Sequence, residues 1–167
     1  MTLLAILNSS TLNFYHKKNT IPQAGGFYRY QASFIEGLPI KNNYSSKDIV
    51  VLSKIILFLK NIKTIPITET IKNSQLALFF EEVIDGCIYE LYFEEEMLSK
   101  EIAILDLVKN EVVTVFGDSD FEQLELENEK ERILKLYNNL KDGEVQKRMR
   151  QFVSKSPEVL KPIIQHK

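Results

Sequence analysis

The chain has 167 residues, 44 % of them hydrophobic and 26 % charged, so it can bury a core and has the charge content of an ordinary globular protein. A net charge of −2 argues against nonspecific nucleic-acid binding by the whole surface. One cysteine excludes an internal disulfide, and two histidines far apart in sequence argue against a zinc site.

The apolar segments predict a protein with no membrane contact. Met1 to Leu7 is too short for a secretory signal. Ile49 to Leu59 is strongly apolar, but Lys54 interrupts it and it is too short to cross a bilayer. The cysteine, Cys87, fits a reducing cytosol, so we expect a cytoplasmic protein. We interpret Cys87 as a small buried hydrophobe and not as a nucleophile, since neither histidine is near it in sequence.

Charge is unevenly distributed along the chain. Residues 1–72 carry nine Lys and Arg against three Asp and Glu, residues 73–128 carry two against fifteen, and residues 129–167 carry ten against five. Either only the basic parts face a polyanion, or these charges are solvated helix faces.

The first elements in chain order are predicted to be a helix, a loop and a short hairpin. Apolar residues from Thr2 to Lys17 indicate a helix, with Thr2 as N-cap and lysines at its C-terminus. A loop with Pro22 follows. The aromatic run from Tyr28 to Phe34 predicts a short strand or hairpin, and Leu38-Pro39-Ile40 an extended exit.

Two strong helices are predicted next. Ser46 is a candidate N-cap for a helix to about Lys60, because the apolar residues recur at three- and four-residue spacing. These residues are Ile49, Leu52, Ile55, Ile56 and Leu59. The segment Glu69 to Ser99 predicts one long helix with a wide apolar face. Its run of three glutamates, Glu94 to Glu96, is interpreted as a solvated helix end, since adjacent helical side chains diverge and cannot share one metal ion.

The remainder is less regular. Ile102 to Val108 is compatible with helix, whereas Val112 to Phe116 has β-branched strand character. Two more helices are predicted, Glu122 to Lys141 and Val145 to Ser154, with a break near Gly143 and a fraying tail. The fold class is therefore predicted as α+β and predominantly α, with a short β-hairpin followed by packed helices, in two regions, 1–44 and 45–167.

The segment Gly25 to Ile40 begins with two glycines and contains four aromatic rings and Arg29. Glycines permit a close approach of the backbone to a partner, and rings beside a guanidinium suit the recognition of bases or phosphate. The alternative is a hairpin whose rings fill a small core.

Several motifs together resemble the end of the target-recognition region of TaqI-like restriction-modification DNA adenine methyltransferases. They are LLAILNS at Leu3 to Ser9, GGFYRY at Gly25 to Tyr30 and FIEGLPI at Phe34 to Ile40. FEEVIDGCIYELYF, at Phe80 to Phe93, resembles a segment near the carboxyl end of many such type II, IIG-like proteins. The resemblance covers about the first hundred residues.

That resemblance implies a role in binding and orienting double-stranded DNA, not in catalysis. Family members bind S-adenosylmethionine on a Rossmann-like sheet and hold a flipped adenine in an Asn-Pro-Pro-Tyr type motif. No two prolines of this chain are adjacent, and no glycine-rich cofactor motif occurs. We therefore expect no cofactor in this chain, and S-adenosylmethionine only in a separate catalytic domain. A nuclease pattern around Asp118 and Asp120 fails too, because Asn128 stands two residues before Lys130.

Residue chemistry and position, and not the resemblance itself, select six candidates for phosphate or base contact. They are Lys17, Lys18, Tyr28, Arg29, Tyr30 and Lys41. The expected partners are duplex DNA and a catalytic methyltransferase or restriction subunit. The alternatives are a helical protein-interaction module without DNA contact, using the apolar face of Glu69 to Ser99, and an inactive remnant.

Overall fold

In a computed structural model of the chain, the described residues are 1–22, 28, 32–41, 46–62, 66–117 and 126–166. They form eleven helices, and this part of the chain contains no strand or sheet. The helices are α1 Thr2–Leu7, α2 Ser10–Asn19, α3 Ala32–Glu36, α4 Lys47–Asn61, α5 Asn73–Tyr92, α6 Glu94–Ser99, α7 Leu105–Phe116, α8 Leu126–Asp142, α9 Glu144–Met149, α10 Phe152–Lys155 and α11 Leu160–Gln165. The predicted α+β class is wrong, and the structure is all-α.

In the described residues 32–36, helix α3 replaces the predicted hairpin. Ala32, Ser33 and Phe34 were expected in a strand but form the first turn of α3, which ends before Gly37. A strand must pair its backbone groups with another strand, and the described residues supply no partner. Alanine and glutamate favour helix, so local propensity prevails over the aromatic pattern. Residues 29–31 lie outside the described part.

Helix α5 is the centre of the fold. Every residue from Val83 to Leu91 is buried, because α2, α4 and α7 pack around it and α6 continues the chain beyond Phe93. The largest helix contact is with α4, whose five predicted apolar residues are all buried. Both helices were predicted from their periodicity, and the start of α4 after Ser46 is confirmed. The long helix predicted up to Ser99 is instead divided at Phe93.

The predicted first helix is also divided, at Asn8 and Ser9. The Ser9 hydroxyl accepts a hydrogen bond from the backbone N–H of Leu12 at 3.3 Å, so Ser9 is the N-cap of α2. It also donates to the carbonyl of Ile6 at 2.7 Å, which satisfies the end of α1. The break redirects the chain, and α1 packs on α4 while α2 packs on α5.

Helix α7 corrects the strand assigned to Val112–Phe116. Val108, Val112 and Phe116 are four residues apart and all buried, so they form one helical stripe. Tertiary contacts at both helix ends outweigh the β-branched composition. Glu90 of α5 accepts hydrogen bonds from the first amides of α7, and Arg132 of α8 donates to its last carbonyls.

Among the carboxyl-terminal helices, α10 packs against α5. Phe152 of α10 packs edge-on against Tyr89, with ring centroids 5.9 Å apart. A side chain at Gly86 would lie 2.6 Å from Ile104 and 3.2 Å from the Phe152 ring, so glycine allows this close approach. The predicted break near Gly143 is confirmed. Within the described ranges, no helix is both long enough and apolar enough to cross a membrane.

Candidate nucleic-acid interface

Two of the six predicted contact residues, Arg29 and Tyr30, lie outside the described residues. Of the remaining four, the structure brings three to the carboxyl end of α2, while Lys41 lies near a different helix end.

Lys17 and Lys18 occupy the last turn of α2, next to helix α11. The Lys17 ammonium donates to the backbone carbonyl of His166 at 3.2 Å, and the Lys18 ammonium lies 5.4 Å from the centre of the Phe14 ring. The rings of Phe14 and His166 are 5.7 Å apart and complete this contact. Lys18 is exposed and Lys17 half-buried, so both ammonium groups lie at the surface end of the helix.

Tyr28 joins the same region through His16. Its ring meets the His16 ring edge-on, with centroids 6.4 Å apart, and Tyr28 stays half-buried. His16 is only 2 % exposed, and its backbone carbonyl accepts a hydrogen bond from the Thr20 hydroxyl at 2.7 Å. Tyr28 therefore packs on the helix that carries both lysines.

Lys41 follows the Leu-Pro-Ile exit and lies by the end of α5. The Tyr92 hydroxyl donates to the carbonyl of Pro39 at 2.8 Å. Partial burial raises the pKa of Tyr92, and a hydrogen bond with the Lys41 backbone opposes the rise. The side chain of Lys41 is exposed.

A polar contact fixes the start of α2 on α5. The Ser10 amide donates to an Asp85 carboxylate oxygen at 2.9 Å, and the hydroxyls of Ser10 and Tyr89 are 2.6 Å apart. A carboxylate at the helix N-terminus is favoured by the helix dipole. Because its amino end is held in this way, α2 presents its lysines in a defined direction.

The side chains at the carboxyl end of α2 have chemistry suited to binding a ligand. Two ammonium groups and a phenol can contact phosphate or stack on a sugar or base, whereas no nucleophile with an adjacent base is formed among these residues. Across the described part of the chain, no group of three or more His, Cys, Asp or Glu side chains is placed to hold a metal ion.

The reading of Cys87 as a buried hydrophobe is confirmed. Its side chain is fully buried in the core. Burial raises the pKa of the thiol well above its usual range, and the carboxylates of Asp48 and Glu90 raise it further. A neutral thiol is a poor nucleophile, which agrees with a packing role for Cys87.

Sequence reasoning missed an open, mainly apolar groove formed by α1, α2, α4 and α5. It encloses about 470 Å³, and its lining includes Met1, Leu4, Leu57 and Leu78. These four side chains are 41–54 % exposed, an unusual concentration of apolar surface. The signal was in α1, where five apolar residues occur in a six-residue helix too short to bury them all.

No protein-family model, no curated protein and no solved structure matches the chain. Its similarity to TaqI-like target-recognition regions thus stays a prediction based on the four sequence motifs.

Proposed function

We propose that this chain is a helical DNA-binding unit that orients duplex DNA for a separate restriction-modification adenine methyltransferase. The observation that carries the proposal is the grouping of Lys17, Lys18 and Tyr28 at one end of α2. The four sequence motifs supply the link to methyltransferases. S-adenosylmethionine belongs in this proposal to the partner, and methyl transfer by the purified chain alone would overturn it.

Two opposing electrostatic effects act at this end of α2. The carbonyls at a helix C-terminus repel a phosphate. Cations in the last turn stabilise the helix and make the local electrostatic potential positive. Lys17 already donates to His166, so part of its charge serves the α2–α11 contact. Lys18 is therefore the better phosphate contact, and Tyr28, which packs on His16 of the same helix, can pack on a sugar or base.

The test is a titration of fluorescently labelled duplex DNA at several salt concentrations. Lys18→Ala removes one cation without touching the α2–α11 hydrogen bond, so the fold is retained. We expect an affinity loss of about threefold to tenfold and a salt slope smaller by about one.

Lys135→Ala is the matched control, because Lys135 is an exposed lysine on α8. It should change neither the affinity nor the salt slope beyond the effect of net charge. Equal effects of the two variants would contradict a contact at α2, and absence of any duplex binding by the parent protein would remove the proposed function altogether.

The exposed groove favours a second candidate, a protein-interaction module with no DNA contact. The apolar face originally expected to meet a partner, on α5, is instead covered by α2, α4 and α7. The surface left for a protein partner is the groove beside α1. This candidate is favoured if the protein associates with itself or with another protein while the titration above shows no binding of duplex DNA.

A further inference from the structure

The groove of α1, α2, α4 and α5 exposes more apolar than polar surface, although Asn8, Asn13 and Ser53 also line it. Its charged side chains have contacts within the chain. The Lys60 ammonium donates to a Glu81 carboxylate oxygen at 2.6 Å. Asp85, four residues after Glu81 on α5, accepts the Ser10 amide at 2.9 Å. A ligand with charged groups would have to compete with these contacts, so the groove favours an uncharged, apolar occupant.

Helix α1 has the chemistry that such an occupant requires. It carries no acidic or basic residue from Thr2 to Leu7. Its leucines divide between two directions: Leu4 lines the groove of its own chain, whereas Leu3 and Leu7 are 54 % and 39 % exposed and do not line it. One surface therefore contains an apolar groove and, beside it, exposed leucines that can fill a groove.

We propose that the groove binds helix α1 of a second copy of this chain. In a two-fold symmetric dimer the same patch is used by both copies, so each copy would donate Leu3 and Leu7 and receive those of its partner. Such an arrangement covers apolar side chains on both molecules and brings no unpaired charged side chain into the interface. A foreign helix in the groove would leave Leu3 and Leu7 exposed.

The experiment measures the molar mass of the full chain by sedimentation velocity over roughly a hundredfold range of micromolar concentration. We expect the mass to rise from 19.4 kDa towards twice that value. Leu78→Glu places a charge in the groove, and Leu3→Glu places one on the inserted helix. Each should raise the concentration at half-association by at least about tenfold.

Leu98→Glu is the matched control. Leu98 is 56 % exposed on α6, against 54 % for Leu78 on α5, and it does not line the groove. It should leave association unchanged, and circular dichroism should show all three variants folded. A chain that stays at 19.4 kDa throughout, or equal loss of association in Leu98→Glu and Leu78→Glu, would overturn the proposal.

The result is separable from DNA binding. Lys18→Ala should leave the self-association unchanged, while Leu78→Glu should keep the affinity of each monomer for a short duplex. Binding of a different protein in the groove, with no self-association, would count against a second copy as its occupant.

Discussion

Glu90 shows how a single buried charge can specify a helix. It is 9 % exposed, and one carboxylate oxygen accepts hydrogen bonds from the amides of Ile104 and Leu105 at 2.5 and 2.7 Å. The first amides of a helix have no acceptor within it, and the positive end of the helix dipole stabilises a carboxylate. The charge is therefore compensated by α7, and α7 in turn begins where Glu90 holds it.

Glu90→Ala should destabilise the protein by about 2–4 kcal/mol, since it leaves amides at the start of α7 without their acceptor. Glu90→Gln keeps an oxygen acceptor but loses the charge, so we expect a smaller loss of about 1–2 kcal/mol. Urea denaturation measures the free energy of unfolding for both variants.

The control is Glu82→Ala, which removes an exposed glutamate two turns earlier on the same helix. Its expected effect is within about 0.5 kcal/mol. If Glu90→Ala and Glu82→Ala destabilised equally, the capping role of Glu90 would be refuted.

At the scale of elements, helices are joined here by polar contacts as well as by apolar packing. Arg132 of α8 donates to the carbonyl of Phe116 at 3.0 Å and stacks 4.2 Å from the centre of its ring, while Arg148 of α9 donates to the carbonyl of Ala103 at 2.6 Å. The Arg132 contact satisfies a carbonyl left open at the C-terminus of α7. The Arg148 contact joins α9 to the loop that precedes α7.

The docking of α2 on α5 gives a test at this scale. Ser10→Ala and Tyr89→Phe each remove one partner of the buried hydroxyl pair, so their separate losses should be about 0.5–1.5 kcal/mol. Together they should cost less than the sum, with a coupling of about 0.5–1 kcal/mol in urea denaturation.

For comparison, Thr114→Ala on α7 removes an exposed hydroxyl that bonds only within its own helix. Combined with Tyr89→Phe, it should give additive losses. Additivity in the Ser10 pair as well would show that the two hydroxyls do not stabilise the α2–α5 contact.

Hydrophobic periodicity predicted the helices that bury one broad face. It failed where contacts between residues distant in sequence determine where a helix begins or ends. Helices α4 and α5 could be predicted because their apolar residues repeat at helical spacing. The divisions at Ser9 and Phe93 could not, since a helix break inside an apolar run depends on where neighbouring helices leave room. The β-branched valines of α7 suggested a strand. The contacts that favour a helix there, with Glu90 and Arg132, come from distant residues and cannot be read from the local sequence.

For the whole molecule, the candidate site was partly predictable. The sequence predicts lysines at the end of this helical segment, but it does not predict the contact of Lys17 with His166, 149 residues away in sequence. The groove was missed because it arises from the packing of four helices whose leucines are individually ordinary. The apolar excess of α1 is visible in the sequence, but where the groove lies depends on how the helices pack.

The core also makes stability sensitive to alkaline pH. Burial is the main cause that raises the pKa of both the Tyr89 hydroxyl and the Cys87 thiol, and the nearby carboxylates of Asp85 and Asp48 add to it. In the unfolded chain these groups lose their protons at roughly pH 10 and 8.5, whereas the folded protein retains them. The unfolded state then binds fewer protons, so stability is complete below that range and falls as pH rises through it, by at most about 1.4 kcal/mol per pH unit per group.

Tyr89→Phe should reduce this loss. The variant starts from a lower stability at neutral pH, because Ser10 loses its partner, but above about pH 10 its free energy of unfolding should fall less steeply than that of the parent. Tyr15→Phe is the control, since Tyr15 is 38 % exposed and its removal abolishes no buried ionisation. Urea denaturation from about pH 8 to 11 measures the slopes. Identical slopes for the parent and Tyr89→Phe would mean that the phenol ionises as readily in the folded protein as in the unfolded chain, and that the α2–α5 contact excludes water less completely than its geometry indicates.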